Sequence, residues 1–242
     1  MDLSNNRVTT VQKIPQPKLL TLNLSNNRIY SCEDFNGHSA LVTLNLRGNK
    51  LQNCIGICNL SQLQHLDLSF NQIESLEQLK NLPHLKKLDL NTNKLAELSG
   101  LPELPSLEHL DLSNNKIASK DFLRLLADYT KLKVLIMVGT PVAEELADHF
   151  KAEVLVSVGI ELRDLKTLNE EEVAEEDYQG AEAERNERAK AKREAEEEAA
   201  RLAAEKAAEE AAAAAAGQEP KQEEWLINTN LTVYFMGFWG FG

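Results

Sequence analysis

Residues 63–73 read LQHLDLSFNQI, and residues 85–95 read LKKLDLNTNKL. Both fit one template, Leu-x-x-Leu-x-Leu-x-x-Asn-x-Leu, with isoleucine admitted at the last slot. The template fits again over 19–29, 41–51 and 107–117, so its starts at 19, 41, 63, 85 and 107 fall 22 residues apart. Each copy keeps its asparagine: Asn27, Asn49, Asn71, Asn93, Asn115. Five copies in phase are a repeat, and a repeat of this length is one short structural unit that buries its apolar side only by stacking on the next.

That period and spelling are the leucine-rich-repeat pattern. The expected fold is an α/β solenoid, a right-handed horseshoe with parallel strands on its concave side. Template positions 1, 4, 6 and 11 point inward, and the residues between them alternate outward along a short strand. The asparagine column sits where the chain leaves the strand, where an amide can satisfy backbone groups otherwise buried and unpaired. The second half of each unit carries a further ladder: Cys32, Cys54, Leu76, Leu98, then Phe35, Ile57, Leu79, Leu101, Leu123, then His38, Leu60, Leu82, Leu104, Leu126. Its spacing predicts short 3₁₀ or irregular returns on the convex side. Cys32 and Cys54 read as stacked core thiols and His38 as a core or edge histidine. Cys58 lacks the further ligands a zinc set needs.

The step after residue 107 is 25. Asp121–Ala127 reads as a helical turn or two, and Leu132, Leu135, Met137, Thr140 and Val142 form a last unit with threonine in the asparagine slot. An amphipathic helix is expected over Ala143–Val158, with Leu146, Phe150, Val154 and Val158 spaced by four. Leu165–Asn169 then reads as a strand-like echo. The division expected is repeats over 1–142 with the first incomplete, a C-terminal cap over 143–175, a charged Ala/Glu-rich helix over 176–216, and a linker with an aromatic tail over 217–242. Met1 falls inside a partial repeat (Leu3, Asn6, Val8), which reads as a truncated start. The uncharged Trp225–Gly242, with six aromatics in 18 residues, reads as disordered or as a mispredicted end.

Charge divides the same way. Residues 1–169 carry 18 basic and 19 acidic side chains, and residues 170–242 carry 8 and 19, so −11 of the net −12 lies in the tail. No basic stripe of the kind nucleic acid requires is present. The tail residues Ala181–Ala216 are strong helix formers with i,i+4 ion pairs, and Gly180 is a possible break. Leu202 is the one large aliphatic there, so no coiled-coil seam forms and a solvated helix of roughly 54 Å is expected.

Strand positions 3, 5 and 7 face out of the concave side. Position 5 makes a column, Asn23, Asn45, Asp67, Asp89, Asp111, flanked by His65, Lys87 and His109, with Arg47 at position 7. Asn45, Arg47, His65, Asp67, Lys87, Asp89, His109 and Asp111 are therefore the candidate partner-binding residues, an acidic stripe suited to a basic segment. The apolar Val134, Ile136 and Val138 at the end of the row are expected under the cap or tail. No phosphate loop, metal set or nucleophile with a base emerges, so no catalytic, cofactor or metal site is expected.

The 22-residue period and the Leu-x-x-Leu-x-x-Leu return resemble the phosphatase-1-regulator-like subfamily of leucine-rich-repeat proteins. Leu165–Val173 is similar to the cap found there and in many ciliary proteins. Leu46-Arg47-Gly48-Asn49, Gly56-Ile57 and the charged helix resemble axonemal members such as the radial-spoke-associated type. The resemblance implies a non-enzymatic scaffold: a structural adaptor among axonemal or cytoskeletal subunits, or alternatively a regulatory subunit holding a phosphatase catalytic subunit. It implies a cytoplasmic protein, in the cilium or alternatively the nucleus; the charge distribution argues against a nucleic-acid partner, and the 18-residue aromatic tail is short for a membrane span.

Overall fold

The computed structural model describes residues 1–215 except 13, 36, 37, 99 and 159–163, with the side chains of 213–215 also outside the description. The expected tail over 217–242 lies outside the described residues. The chain forms two units, Met1–Arg185 and Asn186–Gly242.

In the first unit each template copy makes one three-residue strand: β1 Thr21–Asn23, β2 Thr43–Asn45, β3 His65–Asp67, β4 Lys87–Asp89, β5 His109–Asp111, then β6 Val134–Ile136. They pair in parallel and in chain order. The register places Leu22, Leu44, Leu66, Leu88, Leu110 and Leu135 side by side in one dry interior. The equal step of 22 residues produces that register, because each coil closes over the one before it without a shift.

Among the described residues the returns are mostly turns, with 3₁₀ helices at Glu33–Phe35 and Leu126–Asp128. Their ladder residues are buried except Leu101, which is partly exposed, and burial pushes the thiols of Cys32 and Cys54 up to about 12. They are unreactive core groups. His38 is buried against the Phe35 ring, and its Nε2 donates to the Gln16 carbonyl at 2.9 Å.

The asparagine ladder satisfies the backbone as its position predicts. Asn71 accepts the Leu51 N–H on Oδ1 at 3.1 Å and donates from Nδ2 to the carbonyls of Leu46 and Leu68, both at 3.0 Å. One amide thus ties its own turn to the preceding coil. Asn27, Asn49, Asn93 and Asn115 repeat the pattern. In the last unit the buried Thr140 instead donates to the Met137 carbonyl at 2.7 Å and caps the next helix, whose first residue is Pro141.

After the short α1 (Phe122–Leu125), the cap departs from expectation. The single amphipathic helix over Ala143–Val158 is two helices, α2 Pro141–Leu146 and α3 Phe150–Val158, separated by a 3₁₀ turn at Ala147–His149. Ala147 takes a positive φ of 43° to make the break. Nor is α3 amphipathic. Phe150, Val154, Leu155, Val156 and Val158 are all buried, so it is a core helix apolar on most sides.

The echo at Leu165–Asn169 becomes β7 Thr167–Leu168, parallel to β6, and a two-residue turn then leads to the antiparallel β8 Glu171–Glu172. Asn169 and Glu170 both have positive φ, 49° and 70°, as a two-residue hairpin turn of this hand demands. The hairpin shields the last parallel strand from open pairing.

Helix α4 spans Glu175–Ala215 without interruption, so Gly180 does not break it. Its first turns belong to the cap. Ala181 is buried, Tyr178 donates its hydroxyl to the Leu165 carbonyl at 2.7 Å, and Lys151 pairs with Asp177 at 2.5 Å. Arg185 donates to the carbonyls of Val156 and Leu155 at 3.0 and 2.9 Å. In the second unit every residue over 186–212 is exposed, and Lys190–Glu194 and Lys192–Glu196 form ion pairs at 3.7 Å.

Candidate functional site

The outer side of the sheet carries all eight residues singled out from the sequence. The strand register sets Asp67 beside Asp89 and Asp89 beside Asp111, with His65, Lys87 and His109 in the adjoining row. Neighbouring strands lie about 4.8 Å apart, close enough for like charges to interact. Burial raises the Asp89 carboxyl above the usual range, and the Asp67 and Asp111 charges add to that rise. His109 is lowered, first by burial and then by Lys87, so its imidazole is neutral at neutral pH.

Each position-5 side chain also has a task in the fold. Oδ1 of Asn23, Asn45, Asp67, Asp89 and Asp111 accepts the backbone N–H two residues on, at 2.9–3.1 Å. Asp67 and Asp111 take a second bond from the hydroxyls of Ser69 and Ser113, at 2.6 and 2.5 Å. Asp89 has no such hydroxyl, because Asn91 follows it and donates its Nδ2 to the Ser113 hydroxyl. Asp89 consequently accepts one hydrogen bond fewer than Asp67 and Asp111.

Position 7 is corrected by the structure. Ser25, Ser69 and Ser113 are buried rather than presented to a partner. The Ser69 and Ser113 hydroxyls, donating to the aspartates two residues before them, close the turn. Arg47, exposed like Val138 in that column, reaches the acidic row through Ser69, whose hydroxyl also donates to Asp67. Its guanidinium lies over the Phe70 ring, 4.1 Å from the centroid, and Nη1 donates to Ser69 Oγ at 2.9 Å. Val138 keeps 50% of its surface exposed, so the apolar end of the row is only partly covered.

Sequence reasoning missed what holds Phe70. Position 8 takes a positive φ in every unit: Asn26, Gly48, Phe70, Thr92, Asn114, Gly139, at 53–71°. Asparagine and glycine adopt this readily, and they fill four of the six slots. That preference was a readable signal. Phe70 and Thr92 are strained there, at a cost of about 1–3 kcal/mol each. Phe70 is also 46% exposed. Among the described residues, no group of three or more His, Cys, Asp or Glu is placed to hold a metal ion.

The sequence over 61–103 matches the family model described as leucine-rich repeats (2 copies), and 103–121 matches the single-repeat model. No curated protein matches the chain. Among solved structures, an internalin (inlF) from Listeria monocytogenes is similar at 22% identity and a TM-score of 0.52, over 69% of this chain and 47% of that one. This chain therefore spans about half the internalin's length. The Drosophila melanogaster SNF/U2A′ complex is similar at 28% identity over 51% of this chain and 69% of that one, with a TM-score of 0.45. A leucine-rich-repeat protein of Leptospira interrogans is similar at 23% identity over 69% and 47%, with a TM-score of 0.47. The internalin likeness establishes the fold, a leucine-rich-repeat solenoid, and nothing about the ligand.

Proposed function

We propose that this leucine-rich-repeat chain is a non-enzymatic scaffold that holds another protein by a basic segment laid on the sheet face. One observation carries the reading: three carboxylates aligned in register, each spending Oδ1 on its own turn while Oδ2 bonds to no described residue. A fold needing only the turn would be served as well by asparagine, as at Asn23 and Asn45. A solenoid supplies a rigid extended surface for such a task.

The finer reading is a structural adaptor among cytoskeletal subunits, most concretely in the ciliary axoneme, with the solenoid on one subunit and the charged helix on another. It draws on the resemblance of the repeats and cap, and on the exposed, ion-paired stretch 186–212. No helix among the described residues is long and apolar enough to cross a membrane. A second reading, a regulatory subunit of a protein phosphatase, draws on Phe70 and Arg47, residue types that recur as interface anchors.

Affinity purification from a motile ciliated cell tests both, with wild type beside a chain carrying Asp67→Asn, Asp89→Asn and Asp111→Asn. Axonemal subunits retained by wild type and lost from the variant support the adaptor. A phosphatase catalytic subunit lost in the same way supports the second reading. Identical retention by both proteins refutes the acidic row as the binding surface.

A further inference from the structure

The exposed face of the sheet changes character from one end to the other. Its middle row runs Asn23, Asn45, Asp67, Asp89, Asp111, Ile136 in register. Beyond the acids it is apolar, with Ile136 partly exposed and Val138 half exposed. We propose that this face seats a single helix of a partner protein, lying across the strands. Basic side chains on its successive turns stand opposite Asp67, Asp89 and Asp111, and an apolar side chain one turn further packs on Ile136 and Val138. This rests on the reading that a basic segment is the ligand, and adds its conformation and register.

Spacing selects the helix. Three acids on adjacent parallel strands span about 9.6 Å, at about 4.8 Å per strand. Helical residues i, i+4 and i+7 rise through about 10.5 Å, a mismatch of about 1 Å that flexible lysine or arginine stems absorb. An extended segment crossing the strands offers same-side residues every ~6.7 Å, so three of them span ~13 Å and overshoot the row. An extended segment laid along a strand meets one acid only. The next turn of the helix, at i+11, reaches the strand of Ile136.

Charge and polarity fit the same occupant. The row of acids is bordered on one side by His65, Lys87 and His109 and on the other by Ser69, Asn91 and Ser113, and the Asp67 and Asp111 charges reinforce the negative field at Asp89 while Lys87 offsets part of it, so a cation is drawn to mid-row. Covering Val138 removes apolar surface that the cap leaves in water.

Two labelled peptides of one composition test this against the full chain by fluorescence anisotropy. Both have an Ala/Gln background, three lysines and one leucine. One sets lysines at i, i+4 and i+7 with leucine at i+11, and the other sets them at alternate residues. The helix-spaced peptide is expected to bind about tenfold tighter or more, and to lose that advantage with Asp89→Asn. The variant keeps its turn, because asparagine holds the same turn at Asn23 and Asn45. Equal binding of the two peptides, abolished by the Asp→Asn changes, overturns the helix and leaves the basic segment standing. No binding, or binding indifferent to those changes, overturns both.

Discussion

Two polar columns run the length of the solenoid, and they look alike in the sequence. The inner one, Asn27 to Asn115, is buried and uses its amide in both directions, accepting from one coil and donating to two. The outer one, Asn23 to Asp111, uses one oxygen on its own turn and keeps a face to water. Their difference teaches that repetition alone does not mark a site. What separates them is how much of each side chain the fold consumes. In the inner column only asparagine, with a donor and an acceptor, can do the work. In the outer column asparagine suffices and aspartate is chosen three times running.

The strongest way to break this contrast is to attack the inner column. Asn71→Ala leaves the Leu51 N–H and the Leu46 and Leu68 carbonyls without their buried partner, and is expected to cost about 3 kcal/mol in urea unfolding. It should also speed alkylation of Cys54, which lies in the loosened coil. A loss no larger than that of a surface substitution would mean the ladder is decoration. Thr140→Val tests the place where the ladder ends. It removes the hydroxyl bond to Met137 and the cap on Ala143, for about 1–2 kcal/mol.

The outer side responds differently. Phe70→Asn relieves a left-handed backbone and is expected to stabilise by about 1 kcal/mol while removing the platform under Arg47. Destabilisation would show that the stack outweighs the strain. The smallest effect belongs to Asp89→Asn, a gain of about 0.5 kcal/mol or less at neutral pH, since the site is partly screened. Its sign with pH is fixed. The folded-state value is raised above 3.8, so the folded chain binds the extra proton between the two values. Wild type is penalised above that window and recovers as pH falls through it, and the gap to Asp89→Asn closes on acidification. A gap that widens on acidification would reverse the assignment.

The fold was largely legible because period, inward leucines and the ladder all follow from one unit stacked at a constant step. What escaped lies where the repeat stops. The break at Ala147 answers to the packing of α3 on its neighbours, and the spacing of four shared by Leu146, Phe150, Val154 and Val158 holds in a continuous helix and in two. Gly180 sits in an uninterrupted helix because nothing is required of its side chain and the neighbouring residues are strong helix formers. At the candidate site the rows of acids and cations were readable from alternation. The burial of Ser69 and Ser113 was not, since it depends on the chain curling inward after three residues of strand. The posture of Arg47 was hidden too, because it depends on a phenylalanine held at positive φ in the next coil.

The most direct test takes the chain with Asp67→Asn, Asp89→Asn and Asp111→Asn, titrates the helix-spaced lysine peptide into it by calorimetry, and records the urea midpoint of the same sample. The expected result is a stability within about 1 kcal/mol of wild type and an affinity lower by about tenfold or more. Undiminished affinity, or a collapse of the fold, would contradict the claim that the outer column is there for a partner.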